Sequence, residues 1–296
     1  MVEFSHTPVM LNEALNGLNI KPDGVYLDGT LGGGGHSREI LAGLSLAGRL
    51  FAVDRDADAI NNAGQNLNDE RVTLIRGNFS EVLDNPRDYF GSDILFDGML
   101  FDLGVSSHQL DTMERGFSFK GDNPIDMRMD QSSEFSAKEI VNEWPYEELK
   151  RIFYTYGEER YAPQIAKRIV EARDREPITT TLQLTNLLKS HPKRVYQALR
   201  IATNDELGSL ERMLERLPDR LAIGGRAVII SFHSLEDRLV KNAFKNSAKL
   251  GVITKHPVTP GEMELASNPR SGSAKLRVAE RIQEQWNKQT PQEKSN

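Results

Sequence analysis

Four consecutive glycines, Gly32 to Gly35, interrupt the stretch YLDGTLGGGGHSREIL between an apolar run that reads as a strand and an amphipathic run that reads as a helix. Such a turn bends the backbone sharply and lets a ligand approach the main chain, beside the free N–H groups of the helix start. The flanking sequence keeps the same rhythm. Strand-like runs at 24–29, 48–54, 71–77 and 94–104 alternate with helical patterns at 37–44 and 56–67, and less regularly with 79–90. Strand, helix, strand in this order predicts a doubly wound α/β fold, a parallel sheet covered by helices. With 296 residues, 38% of them hydrophobic, the chain has enough apolar material for its core.

A further strand pattern, 224–234, arrives only after more than a hundred residues and is followed by a helical run at 235–246. The region between is helical in pattern, with loop signals at Asp122, Asn123, Pro124 and Pro177. A crossover between neighbouring parallel strands needs only about a dozen residues, so this region reads as an inserted helical domain. The expected division is 1–104 for the first part of the core, 105–215 for the insert and 216–296 for the second part. Segments 252–256 and 274–280 are expected to close the sheet as an antiparallel hairpin, and beyond about Gln285 the polar composition reads as frayed.

In open α/β sheets ligands bind outside the carboxyl ends of the strands. Asp54 closes the second strand twenty positions beyond Gly34, where an acidic residue holds ribose hydroxyls. After the third strand come Asn78 and Phe79, an amide and a ring suited to an adenine's edge and face, and Asp102 ends the fourth. Together they predict an adenosine ligand. It is either a dinucleotide with its pyrophosphate over the glycines or S-adenosylmethionine with its amino-acid portion there, and strand spacing does not separate the two.

The absence of cysteine excludes disulfides, thiolate metal sites and a cysteine nucleophile. His6, His36, His108, His191, His233 and His256 are scattered, so no metal is expected. Neither a signal pattern nor an eighteen-residue apolar window is present, so no membrane association is expected. A net charge of −6 speaks against coating nucleic acid by bulk charge and leaves room for a local basic face.

The strings HTPVMLNEAL, DGTLGGGGHSR, VDRD, FDLGVSSHQLD, ERGFSF, DMRMD, TYGEER, ISFHSLEDR and NPRS occur in that order along nearly the whole chain. With them the sequence closely resembles the bacterial ribosomal RNA small-subunit methyltransferase H family, also called MraW. The resemblance implies a Rossmann-like, S-adenosylmethionine-dependent methyltransferase fold with an inserted all-helical domain. It implies methylation of the N4 amine of a single cytosine in the decoding centre (P site) of 16S ribosomal RNA within the small ribosomal subunit. It further implies a cytoplasmic location, with a homodimer as a candidate assembly. Carried over by position, the family's cofactor contacts fall on Gly34, Gly35, His36, Asp54 and Phe79, and on Asp102 and Gln109 beside the methionine end and the site mouth. DLGVSS replaces the Asp/Asn-Pro-Pro-aromatic string that ends the fourth strand of better-known amino-methyltransferases.

Methylation at a pyrimidine C5 ordinarily needs a cysteine, which this chain lacks. An exocyclic amine instead attacks the methyl group in line and needs alignment and a proton acceptor. Asp102 is the candidate catalytic acceptor, assisted by Ser106 and Ser107; a structural or cofactor-binding carboxylate is the alternative reading. Ser231, His233 and Ser234 are expected at the same edge, Ser234 with N-cap character. For RNA, the insert offers Lys150, Arg151, Arg160, Lys167, Arg168, Lys193, Arg194 and Arg200, interleaved with Tyr154, Tyr156, Tyr161 and Tyr196. The competing classes are an NAD-dependent oxidoreductase and a non-catalytic adenosine-binding or RNA-scaffold protein.

Overall fold

The computed structural model describes residues 8–188 and 192–283. One sheet is built from β1 (Val25–Asp28), β2 (Arg49–Asp54), β3 (Val72–Arg76), β4 (Phe96–Asp102), β5 (Leu221–Ser231), β6 (Leu250–Val252) and β7 (Lys275–Arg281), in the order β3-β2-β1-β4-β5-β7-β6. The first five run parallel, and β7 lies antiparallel between β5 and β6. From β1 the chain steps outward to β2 and β3, then returns to β4 on the other side of β1. That reversal opens a crevice at the carboxyl edge between β1 and β4, the place where α/β sheets hold ligands. Asp28 pairs with Ala52 and with Leu100, so Asp54 and Asp102 stand two residues further along the neighbouring strands and flank the glycine turn.

In the tail, β6 ends at Val252, where the first strand of the hairpin is expected to begin; it pairs antiparallel with β7, which lies inside the sheet with β6 at the edge, and a helix, Glu262–Ser267, occupies the polar loop. His6, His191 and the segment beyond Gln285 lie outside the described residues. The pattern at 79–90 divides into helices Phe79–Asp84 and Pro86–Phe90, because Pro86 has no N–H to continue the first and restricts Asn85 before it.

Alternation along the strands buries both faces. Helix Leu11–Leu18 sets Ala14 and Leu18 against Tyr26, Leu100, Val228 and Val278. On the opposite face, Val82, Leu83, Val240 and Phe244 from helices Phe79–Asp84 and Ser234–Asn246 pack with Met99, Phe101 and Ile229.

The inserted unit has its own core, in which Ile140, Leu149, Phe153, Ile165, Leu184 and Leu199 meet. These side chains come from helices Ala137–Glu143, Tyr146–Thr155, Ala162–Arg173, Thr181–Leu188 and Pro192–Asn204. Helix Glu206–Arg220, which the expected boundary at 215 divides, packs whole on the sheet through Leu210, Met213, Leu214 and Leu217. We therefore propose Asn204 as the end of the inserted unit. Two polar ties join the unit to the edge of the sheet. Arg115 donates to Asp56 at 2.9 Å, and Arg55 donates to the Asn204 carbonyl at 2.8 Å. No described helix is long and apolar enough to cross a membrane.

Candidate active site

A cavity of about 780 Å³ opens at the carboxyl edge. Its walls are the glycine turn, the ends of β2 to β5, the loop after β4, and residues of the inserted unit including Phe117, Phe119, Lys193 and Arg200.

Backbone bonds to both neighbouring strands hold the turn. Gly29 N–H donates to Leu100 and Leu31 N–H to Val53. Asp54 faces the turn and also braces it: Oδ2 accepts from Gly32 N–H at 2.8 Å and Oδ1 from Asp56 N–H at 2.9 Å. Burial pushes its carboxyl up to about 6, against the lowering effect of those two bonds. Gly32, Gly33 and Gly35 line the cavity. Gly34 lies behind them as the N-cap of helix Gly35–Ala42, in the left-handed region at φ 72°. A Cβ on Gly35 would come within 2.9 Å of the Pro8 ring, so packing as well as ligand approach excludes a side chain there.

Asp102 is held by its backbone, whose N–H donates to Thr30 Oγ1 at 2.6 Å. Its Oδ1 is buried without a hydrogen-bond partner, and Oδ2 lies 3.9 Å from His36 Nδ1. Burial raises the carboxyl well above the usual range, and the negative charges of Asp28, Glu236 and Glu264 add to the effect. His36 Nε2 meets the Val9 carbonyl at 3.0 Å, so that nitrogen carries the ring proton. Burial lowers the imidazole to about 4, which keeps it neutral with its Nδ1 lone pair turned toward Asp102.

Gln109 also lines the cavity, but its side chain is committed. Oε1 accepts from Ser106 N–H in a capping box, and Nε2 donates to Asp56 at 2.8 Å. Phe79 presents its ring to the cavity and packs edge-to-face on Phe101 at 5.6 Å. Asn78 departs from the adenine-edge expectation. It is the N-cap of the helix that Phe79 begins, its Oδ1 accepting from Ser80 N–H and its Nδ2 donating to Ser209. Ser231 Oγ turns to the Lys275 carbonyl and is buried. His233, not Ser234, caps helix Ser234–Asn246, reciprocally with Glu236. Ser234 reaches Glu158 at 2.6 Å instead.

Folding also sorts the cations. Lys150, Arg151, Lys167 and Arg194 pair with Glu147, Glu148, Glu171 and Glu159, and Arg168 donates to the Leu187 carbonyl. Arg160 lies over the Tyr161 ring. Arg200 grips both oxygens of Glu206 at 2.8 and 2.9 Å inside the cavity wall. Among the described residues Glu206, His233 and Glu236 bring ligand-type atoms within 4.8 Å of one another. Of these, Glu206 is held by Arg200, and His233 Nδ1 accepts from Glu236 N–H.

Thr30, Asp28, Arg115, Phe119 and Lys120 have no assigned role in the sequence reading. The DGT and ERGFSF strings contain four of these five and adjoin the fifth, yet their contacts cross from one element to another and leave no local pattern.

The model of the MraW methylase family matches residues 3–282. Three curated relatives, each described as "Ribosomal RNA small subunit methyltransferase H", align with 95% of this chain. That of Lachnospira eligens is 47% identical and covered over 99% of its own length. Those of Exiguobacterium sibiricum and Limosilactobacillus fermentum are each 46% identical, covered over 99% and 100%. A family match of this extent, together with a glycine turn braced by Asp54 at a topological switch point, means that the chain belongs to the MraW methylase family.

Proposed function

We propose that this chain methylates the N4 amine of a single cytosine in the decoding centre (P site) of 16S ribosomal RNA, within the small ribosomal subunit in the cytoplasm, using S-adenosylmethionine. The observation that carries the reading is Asp102. Its unpartnered carboxyl oxygen stands at the sheet edge, in a cavity whose walls come from both the glycine turn and the inserted unit. The relatives' name supports small-subunit ribosomal RNA as the acceptor, and the lack of cysteine favours an amine over a ring carbon.

The residues present suit the cofactor. Asp54 keeps lone pairs for the ribose hydroxyls after accepting its two backbone bonds, Phe79 offers a ring to the adenine, and Gly32, Gly33 and Gly35 leave the wall bare for the amino-acid portion. Bound there, S-adenosylmethionine supplies an electrophilic methyl on a positively charged sulfur. A positive charge beside Asp102 favours its carboxylate form, which then accepts the proton that the amine sheds. Neutral His36 holds the Val9 segment against this wall. The target base must leave its stack to enter the cavity.

The test is transfer of labelled methyl to small subunits lacking the modification, followed by nuclease digestion and mass spectrometry. N4-methylcytidine at one decoding-centre position is the expected product. Methyl on another atom, or no transfer by cofactor-loaded protein, would overturn the reading.

A further inference from the structure

Most candidate RNA-binding cations on the outer helices are neutralised by neighbouring carboxylates, but the mouth of the cavity differs. Lys120 and Lys193 both line it and both are exposed, and among the described residues neither forms an ion pair. Phe119, next to Lys120 in the chain, lines the same cavity; it is 38% exposed and its ring meets Tyr196 edge-to-face at 5.7 Å. Tyr196 is fixed in turn by its hydroxyl, which donates to the Thr181 carbonyl at 3.0 Å. This contact fastens the loop carrying Phe119 and Lys120 to the helix carrying Lys193, one turn away from Tyr196. Arg270, another cation lining the cavity, is already held by Asp111.

Two exposed cations outside any ion pair, together with an exposed, anchored aromatic ring in the wall of the same cavity, suit single-stranded nucleic acid, with phosphates on the cations and a base on the ring. We propose that the RNA strand enters across this mouth, with Lys120 and Lys193 on phosphates flanking the target nucleotide and Phe119 stacked on an adjacent base. The proposal rests on the ribosomal RNA reading above and adds the path of the strand.

The experiment measures methyl transfer to unmodified small subunits between 50 and 200 mM salt for the unaltered enzyme, Lys120→Gln, Lys193→Gln, the double variant and Phe119→Leu. Cofactor affinity is measured for each by calorimetry. Each phosphate contact on a single strand contributes about 0.7 to the slope of log affinity against log salt. The double variant should therefore lose about seven-fold of the salt dependence over this four-fold range. Phe119→Leu should raise KM about ten-fold, and Phe119→Tyr should restore it. Lys150→Gln and Lys167→Gln, on the outer helices, should leave the slope unchanged. An unaltered slope in the double variant, with transfer intact, would overturn the strand path alone. So would a loss of cofactor affinity in either lysine variant, which would assign that lysine to the cofactor. Absence of transfer by the unaltered enzyme would overturn the functional reading and this path with it.

Discussion

Asp28 is 1% exposed and lies beneath the glycine turn, accepting from Thr30 N–H at 3.1 Å and from the Ser37 hydroxyl at 2.7 Å. Burial outweighs both bonds and pushes its carboxyl from 3.8 to about 6. The sign follows from linkage: the folded state holds the proton more tightly than the unfolded state, so stability falls as pH rises from about 3.8 to about 6, and the loss is complete above that. With about 1.36 kcal/mol per pKa unit, the ionised Asp28 costs about 3 kcal/mol at pH 7 and about 1.6 kcal/mol at pH 5. Asp28→Asn keeps an oxygen for Thr30 N–H and requires only that the Ser37 hydroxyl turn to accept. Urea unfolding of the ligand-free protein should therefore show the variant gaining about 1.3 kcal/mol on the unaltered chain between pH 5 and pH 7. A stability difference that is the same at both pH values would refute the reasoning. A second readout is independent of stability. The negative charge of Asp28 helps to raise Asp102, so the acid limb of kcat/KM should move to lower pH in the variant.

Asp54→Ala removes a carboxylate placed for two ribose hydroxyls, and calorimetry should show cofactor affinity falling about 100-fold or more, since bonds to a charged group contribute about 1.5–3 kcal/mol each. Unchanged affinity would remove Asp54 from the site. Asp102→Asn should lower kcat by about 10²–10⁴ with cofactor affinity kept within a few-fold, and full activity would end its assignment as acceptor. Arg115→Met strips buried Asp56 of its cation and leaves the Arg128 and Met129 carbonyls without their donor; urea unfolding should show a loss of about 3–5 kcal/mol. A loss below about 1 kcal/mol would mean that Arg115 does not hold the inserted unit to the sheet.

Features set by near neighbours in the chain were legible without coordinates. The strand, glycine turn and helix around Gly32, the strand-end placing of Asp54 and Asp102, and the helical character of the insert depend on backbone freedom, on periodicity and on where apolar runs stop. Helix Glu206–Arg220 looks like its predecessors in sequence. Only packing assigns it to the sheet, because Leu210 and Leu217 find partners there that lie far away along the chain. Asn78 was drawn to the adenine by its position after β3, whereas an amide beside a helix start satisfies the orphaned N–H groups first. Among the eight basic residues of the insert, Lys150, Arg151 and Lys167 meet carboxylates about one helical turn away, which spacing alone allows, whereas Arg194 meets Glu159 only because folding brings the two together. The proton affinity of Asp102 has the same origin, since burial and three carboxylates from distant parts of the chain raise it. Sequence alone determined which elements form and which side chains reach the edge of the sheet. Tertiary structure decided which of those side chains remain free to act, because desolvation and pairing depend on neighbours that only folding brings together.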